Sequence, residues 1–333
     1  MGVALSLGLS AWFLHSVEWS ALGDALSQVS LGPVVLACAL LLGEFVLRAL
    51  RWKVLLRPVA PEAKVQDLFV ATVIGATANT LLPARAGELA KPLVASRKTG
   101  ASFTAVLATT VMERVYDIFG LLAVLTTMVL VLPVDVGETP DEAELVRNLK
   151  LYGALFGAFA FGCMFTFFGL ASRGADARRV FVRITSIAPA PVANKFNDLF
   201  DGFVQGLGNA RDLSGMWKAG GLSLAIWFNG AFAIYVLFAA FDLDLPIGAA
   251  CFTAVAIALT VALPQAPGFF GVFHVAIEKT LVLWAVDPTP AKAFAIVFWG
   301  VSFLPVTLVG LLALWREGLT LGGIWSRTDE ENP

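Results

Sequence analysis

Six long apolar runs, at about residues 2–16, 32–50, 103–132, 149–170, 218–241 and 291–315, constrain this chain more than any other feature. Each is near or above the roughly 17 to 25 residues that cross a bilayer as a helix, so the sequence predicts six full membrane spans. A soluble domain averages about a quarter charged residues, whereas this chain of 333 residues is 58% hydrophobic and 14% charged. The expected fold class is therefore all-α, a polytopic membrane helix bundle. Met1 to Val17 has no positive leader region and no clear small-residue cleavage site, and is read as a first span rather than a signal peptide.

Two further apolar stretches are broken at their centres. Residues 67–99 are interrupted around Pro83 and Gly87, and residues 247–285 around Pro264, Pro267 and Gly268, with Gly271 close behind. Proline and glycine interrupt helices, and irregular backbone at membrane depth is tolerated only where protein or a watery cavity surrounds it. We expect two re-entrant hairpins, which with the six spans makes eight hydrophobic segments in a single integral membrane domain, 1–333. The order span, span, hairpin, span then occurs twice, over 1–132 and 149–315, starting from opposite sides. That is the outline of an inverted-topology repeat, whose interrupted helices meet near the midplane. Layout carries this expectation, because Leu-Pro-x-x-x-Gly also occurs at Leu132 to Gly137, outside either hairpin.

Lysine and arginine set the orientation. They cluster after the second span (Arg48, Arg51, Lys53, Arg57, Lys64) and in the linker 171–218, while the loops holding Glu18 and Asp24, Asp135 to Glu144, and Asp242 and Asp244 are acidic. Alternating these sides puts both termini in the cytoplasm of a cell inner (cytoplasmic) membrane protein. Within the linker, Phe196, Leu199, Phe200, Phe203, Val204 and Leu207 recur at helical spacing. That pattern fits either an interfacial helix or one that caps the bundle.

Charges of both signs fall inside the apolar chain between Asn79 and Asp117. An ionisable residue at membrane depth costs on the order of 3 kcal/mol and is a functional candidate. Glu113 lies ten residues into its span, about 15 Å deep at the helical rise. Glu113 and Asp117 share a helix face and require cations, for which Arg85 and Lys91 are the expected counter-ions; Arg114 points elsewhere. On the functional reading, Asn79, Arg85, Glu88, Lys91, Glu113, Arg114 and Asp117 line a site for an anionic group, with the N–H groups at the start of the second limb aimed at it. Glu88 also suits a helix cap. On the structural reading these residues are ion pairs that pin the hairpin to a helix.

At the second break His274 and Glu278 are four apart, either a proton-linked pair or a simple hydrogen-bonded one. Two histidines in all, and Cys38, Cys163 and Cys251 without metal spacing, predict no metal site. Nucleotide and hydrolase motifs are missing, so no cofactor is expected, nor enzymatic activity. A net charge of −2 gives no reason to expect nucleic acid.

Asn79-x-x-x-Pro83-x-Arg85-x-Gly87-Glu88, then Glu113-Arg114-x-x-Asp117, then Pro264-x-x-Pro267-Gly268-x-x-Gly271 resembles the lysylphosphatidylglycerol synthase transmembrane-region family of flippase-like membrane proteins. Arg48-Ala-Leu-Arg51-Trp52 also fits. Lys91 stands where the family commonly has Arg, and His274 where a Glu usually follows. The resemblance implies a bundle with re-entrant hairpins that moves a lipid between leaflets. It reaches only the membrane part of the two-part members, so lipid synthesis is not carried over. The expected function is a flippase for a phospholipid or polyprenyl-linked intermediate with an anionic head group. Alternatives are a proton-coupled transporter of a small anionic solute and an assembly subunit partnering an envelope-lipid synthase.

Overall fold

A computed structural model of the protein describes residues 10–13, 17–83, 85–131, 213–261 and 267–323, with seven isolated positions besides. Much of the expected span 2–16, all but three positions of the expected span 149–170, nearly all of the linker 171–218, and Cys163 and Pro264 lie outside the described residues. Every regular element among those described is helical. They are α1 (Trp19–Ser27), α2 (Leu31–Leu56), α3 (Val65–Leu81), α4 (Gly87–Thr99), α5 (Phe103–Val131), α6 (Leu213–Phe238), α7 (Ile247–Val261), α8 (Val272–Leu283) and α9 (Pro288–Arg316).

Among the described residues three helices are long and apolar enough to cross a membrane: α2, α6 with its continuation to Phe241, and α9. At the helical rise α2 is about 39 Å long, against a hydrocarbon core of about 30 Å. The chain is thus membrane-embedded. Helix α5 is as long as α9, at 29 residues, and carries Glu113, Arg114 and Asp117 near its middle.

Both broken stretches are broken in the structure. Helix α3 ends at Leu81, Leu82 is extended, Arg85 takes a left-handed φ of 55°, and α4 begins at Gly87 and runs back along α3. The return is tight: a Cβ on Gly87 would sit 1.8 Å from the Gly75 carbonyl oxygen, and one on Gly75 would sit 2.7 Å from Lys91 Cβ. At the second break α7 ends at Val261, and a short 3-10 turn over Pro267–Phe269 leads through Gly271 (φ 83°) into α8. Trp299 Nε1 donates to the Gly268 carbonyl at 2.8 Å and fixes that turn to α9. None of α3, α4, α7 and α8 exceeds 17 residues, about 26 Å.

The two largest apolar clusters among the described residues hold much of the bundle. One joins α3, α4 and the ends of α2 and α9 around Trp52, Leu68, Ile74 and Val94; the other joins α6 to α9 around Phe238, Phe273, Ile277 and Phe294. Small residues let helices approach, as membrane helices require where apolar burial alone does not drive association. Gly310 of α9 is so close to α3 that a Cβ there would lie 2.0 Å from Thr77 Oγ1. Cys251 is buried in the bundle and Cys38 partly so, both as free thiols.

Candidate functional site

The charges of α5 are met from two sides. Arg51 of α2, 1% exposed, donates to Asp117 Oδ1 at 2.7 Å and to Ser223 Oγ of α6 at 2.8 Å, and lies 3.7 Å from Glu113. Lys91 of α4 hydrogen-bonds Glu113 on the other side, with its ammonium 4.2 Å from the ring centre of Trp52. Trp52 is fixed in turn by a 2.9 Å bond from Nε1 to Thr109 Oγ1.

Toward the open side the pairing continues. Arg114 donates to Asp117 Oδ2 at 3.1 Å and, through one nitrogen, to both Glu88 oxygens at 2.7 and 2.8 Å; Arg85 reaches Glu88 at 3.4 Å. The order Arg85, Glu88, Arg114, Asp117, Arg51, Glu113, Lys91 is one unbroken alternation of charge. Among the described residues it begins and ends on a cation. Exposure is graded along it, from 53% for the Arg114 side chain to 1% for Arg51. The deep members would be costly to separate, since an ion left buried without its partner costs about 3 to 5 kcal/mol.

The exposed members open onto a cavity of about 640 Å³, within the ordinary range for ligand sites of about 300 to 1,000 Å³. Its charged lining is Glu44 and Arg48 of α2, Arg85, Glu88 of α4, and Arg114 and Asp117 of α5, whereas α6 to α9 contribute uncharged side chains such as Ile234, Val261, Phe273 and Phe303. Arg48 pairs with Glu44 at 2.7 and 2.9 Å. Trp227 also lines the cavity, and its buried indole N–H has no hydrogen-bond partner among the described residues.

Of the residues singled out in the sequence, Arg85, Glu88, Arg114 and Asp117 therefore face the cavity. Lys91 and Glu113 are linked to them but lie behind. Asn79 is set apart: its side chain packs on Gly87, with Oδ1 buried and unpaired among the described residues. Two expectations are corrected. Of the two expected counter-ions Lys91 does pair with Glu113, but Asp117 is held by Arg51 and Arg85 turns to Glu88 instead. Two of the N–H groups opening α4 are not free, because those of Glu88 and Leu89 bond the carbonyls of Arg85 and Ala86 at 2.9 and 3.1 Å. The Glu88 carboxylate accepts from arginines, not from its own helix.

Arg51, Arg48, Glu44 and Trp227 are the residues that sequence reasoning passed over. Arg48 and Arg51 read as loop charges, although the helix continues beyond them to Leu56; Glu44 four residues before Arg48 was the available signal.

At the second break His274 and Glu278 are both buried on α8, but no hydrogen bond joins them among the described residues. The imidazole is instead surrounded by rings, with centroids 4.3 Å from Phe270, 4.9 Å from Phe13 and 5.9 Å from Trp299. Glu278 lies 3.7 Å from Lys279 Nζ.

Comparison with known proteins adds to this geometry. The family described as "Lysylphosphatidylglycerol synthase TM region" matches residues 1–310. The chain is similar to the UPF0104 membrane protein MJ1078 of Methanocaldococcus jannaschii, at 24% identity over 238 residues, which is 71% of this chain and 92% of that protein. It is also similar to glycosyltransferase AglD of Haloferax volcanii, at 27% identity over 318 residues, which is 87% of this chain but 49% of that one. No solved structure matches.

Proposed function

The chain belongs to the lysylphosphatidylglycerol synthase TM region family, and from that premise we propose that it is a flippase carrying a lipid, or a lipid-linked intermediate, with an anionic phosphate head group across the inner membrane. One observation carries the reading. A single cavity joins arginines from α2, the α3–α4 turn and α5 to the uncharged walls of α6 to α9. A small solute needs only the charged part, whereas an amphiphile needs both.

The arginines at the open end of the network suit a phosphodiester. Arg114 is the most exposed of its members and holds Glu88 through two short bonds. A phosphate entering the cavity takes the place of the Glu88 carboxylate on the planar guanidinium fork, which suits it bidentately. Arg85 and Arg48 approach from either side. When the head group leaves, Glu88 returns and keeps the arginines from standing unpaired. Acyl or prenyl chains lie along α6 to α9.

In this reading α3–α4 and α7–α8 are re-entrant hairpins of two inverted halves, 1–132 and 149–315. The linker 171–218 and both termini face the cytoplasm. The protein moves its lipid without chemistry. The glycosyltransferase relative is matched over 49% of its length, and its activity is not carried over. An envelope-lipid synthase that supplies the cargo is the expected partner.

The test is lipid scrambling by purified protein in liposomes, with fluorescent phospholipids and polyprenyl phosphates as cargo. Arg85→Ala and Arg114→Ala should stop movement while the protein stays folded. Wild-type rates in both would overturn the assignment.

A further inference from the structure

Two arginines of the cavity are each held by a glutamate. Arg114 of α5 donates to Glu88 of α4 at 2.7 and 2.8 Å. Arg48 of α2 donates to Glu44 Oε1 through Nε at 2.9 Å and through a terminal nitrogen at 2.7 Å. All four side chains line the same cavity. The two pairs also flank one acid. Arg114 bonds Asp117 Oδ2 at 3.1 Å, while Arg51, one helical turn beyond Arg48 on α2, bonds Asp117 Oδ1 at 2.7 Å. Arg48 and Arg114 are near enough to act on each other electrostatically, and both act on Asp117.

Helix packing does not account for the Glu44–Arg48 pair. Glu44 lies near the middle of α2, about 20 Å from Leu31 and about 18 Å from Leu56 at the helical rise. A charge at that depth is costly and marks a functional position, and pairing at i, i+4 adds little to a helix. The bonds of Arg48 to Glu44 run along one helix, whereas those of Arg51 cross to α5 and α6 and fasten them. Toward the pair α6 presents a glycine: a Cβ on Gly230 would lie 3.5 Å from Glu44 Oε2.

We propose that the head group carries two linked phosphates, a lipid diphosphate, with one phosphate replacing Glu88 on Arg114 and the other replacing Glu44 on Arg48. This rests on the flippase reading and narrows its cargo. Each guanidinium fork takes one phosphate bidentately. Two arginines that repel each other across Asp117 favour one ligand that is anionic at both ends, because once the first phosphate is seated the second binds intramolecularly. A single phosphate fills one fork and leaves the other pair closed.

The test is native mass spectrometry of the purified full chain titrated with farnesyl diphosphate, farnesyl phosphate or inorganic pyrophosphate. Wild type should bind farnesyl diphosphate about tenfold or more tighter than farnesyl phosphate, the worth of one further charge-assisted contact. Arg48→Gln should bring that ratio to about one. Glu44→Gln keeps Arg48 and frees its fork, and should widen the ratio several-fold. Equal affinity for the two lipids in the wild type, or an unchanged ratio in either folded variant, would overturn the diphosphate and leave a flippase of singly phosphorylated lipids. Pyrophosphate bound as tightly as farnesyl diphosphate would overturn the flippase reading as well, since the uncharged walls of α6 to α9 would then contribute nothing.

Discussion

Arg51 and Asp117, 66 residues apart in sequence, meet at 2.7 Å inside the bundle, with Arg51 1% exposed. The pair ties α2 to α5 and, through Ser223, to α6. It is the deep anchor of a network whose outer end faces the cavity. Replacing Arg51 by Met leaves Asp117 to Arg114 and Glu113 to Lys91, so the loss should fall near the lower end of the usual range for a broken buried pair, about 3 kcal/mol. Thermal unfolding in detergent reads this directly. Adding Asp117→Asn to Arg51→Met should recover part of the loss, and an unchanged midpoint in the single variant would mean that the pair adds nothing to stability.

Gly87 and Gly221 predict opposite outcomes for the same substitution. A Cβ at Gly87 would lie 1.8 Å from the Gly75 carbonyl and 2.6 Å from Asn79 Oδ1. Gly87→Ala must therefore push α4 off α3, at about 1 to 3 kcal/mol for overpacking, and shift Arg85 and Glu88 with it. At Gly221 the new methyl meets nothing within 4 Å, and alanine is the better helix former by about 1 kcal/mol. Unfolding midpoints should fall for the first variant and hold or rise for the second.

This contrast marks what spacing can and cannot reveal. The long apolar helices α2, α6 and α9 were legible because an uninterrupted apolar run is a local property. So were the helix breaks at Pro83 to Gly87 and at Pro267 to Gly271, because proline and glycine act on their own backbone. The fall of Glu113 and Asp117 on one face of a helix was equally local. What held them was not: Arg51 looks like any basic residue closing a span, and only the approach of α2 to α5 turns it inward. Of the two counter-ions assigned from spacing, Lys91 does meet Glu113, whereas Arg85 turns to Glu88 instead. Their partners depend on how α4 leaves the turn, and that is set by the contact of Gly75 with Gly87.

Glu88 and Arg114 offer the sharpest test of the transport reading. If Glu88 occupies the arginine until a head group arrives, Glu88→Gln should bind anionic lipid several-fold more tightly and release it more slowly. Binding of a fluorescent phospholipid and its scrambling rate, measured together, separate the two effects. Arg114→Lys keeps the charge and loses the planar fork, and should slow scrambling about tenfold or more without moving the unfolding midpoint, because the side chain is 53% exposed. Tighter binding with faster scrambling in Glu88→Gln would mean that the carboxylate obstructs rather than resets the site.

His274 tests the remaining alternative, a proton-driven transporter. A histidine that carries protons needs partners that change with its charge. The His274 ring has aromatic neighbours on several sides and no hydrogen bond to Glu278 among the described residues. In that setting the ring acts as one more aromatic of the α8–α9 contact. His274→Phe conserves ring shape and removes two nitrogens that make no hydrogen bond among the described residues, so stability should hold or rise, the cost of burying an unpaired polar group being about 1 to 3 kcal/mol. Transport by His274→Phe should keep the wild-type rate from about pH 6 to pH 8, the interval in which an ordinary histidine titrates. A variant that folds normally but loses a pH dependence present in the wild type would restore the proton-linked role. It would also place the coupling site on the helix next to Phe273, which lines the cavity wall.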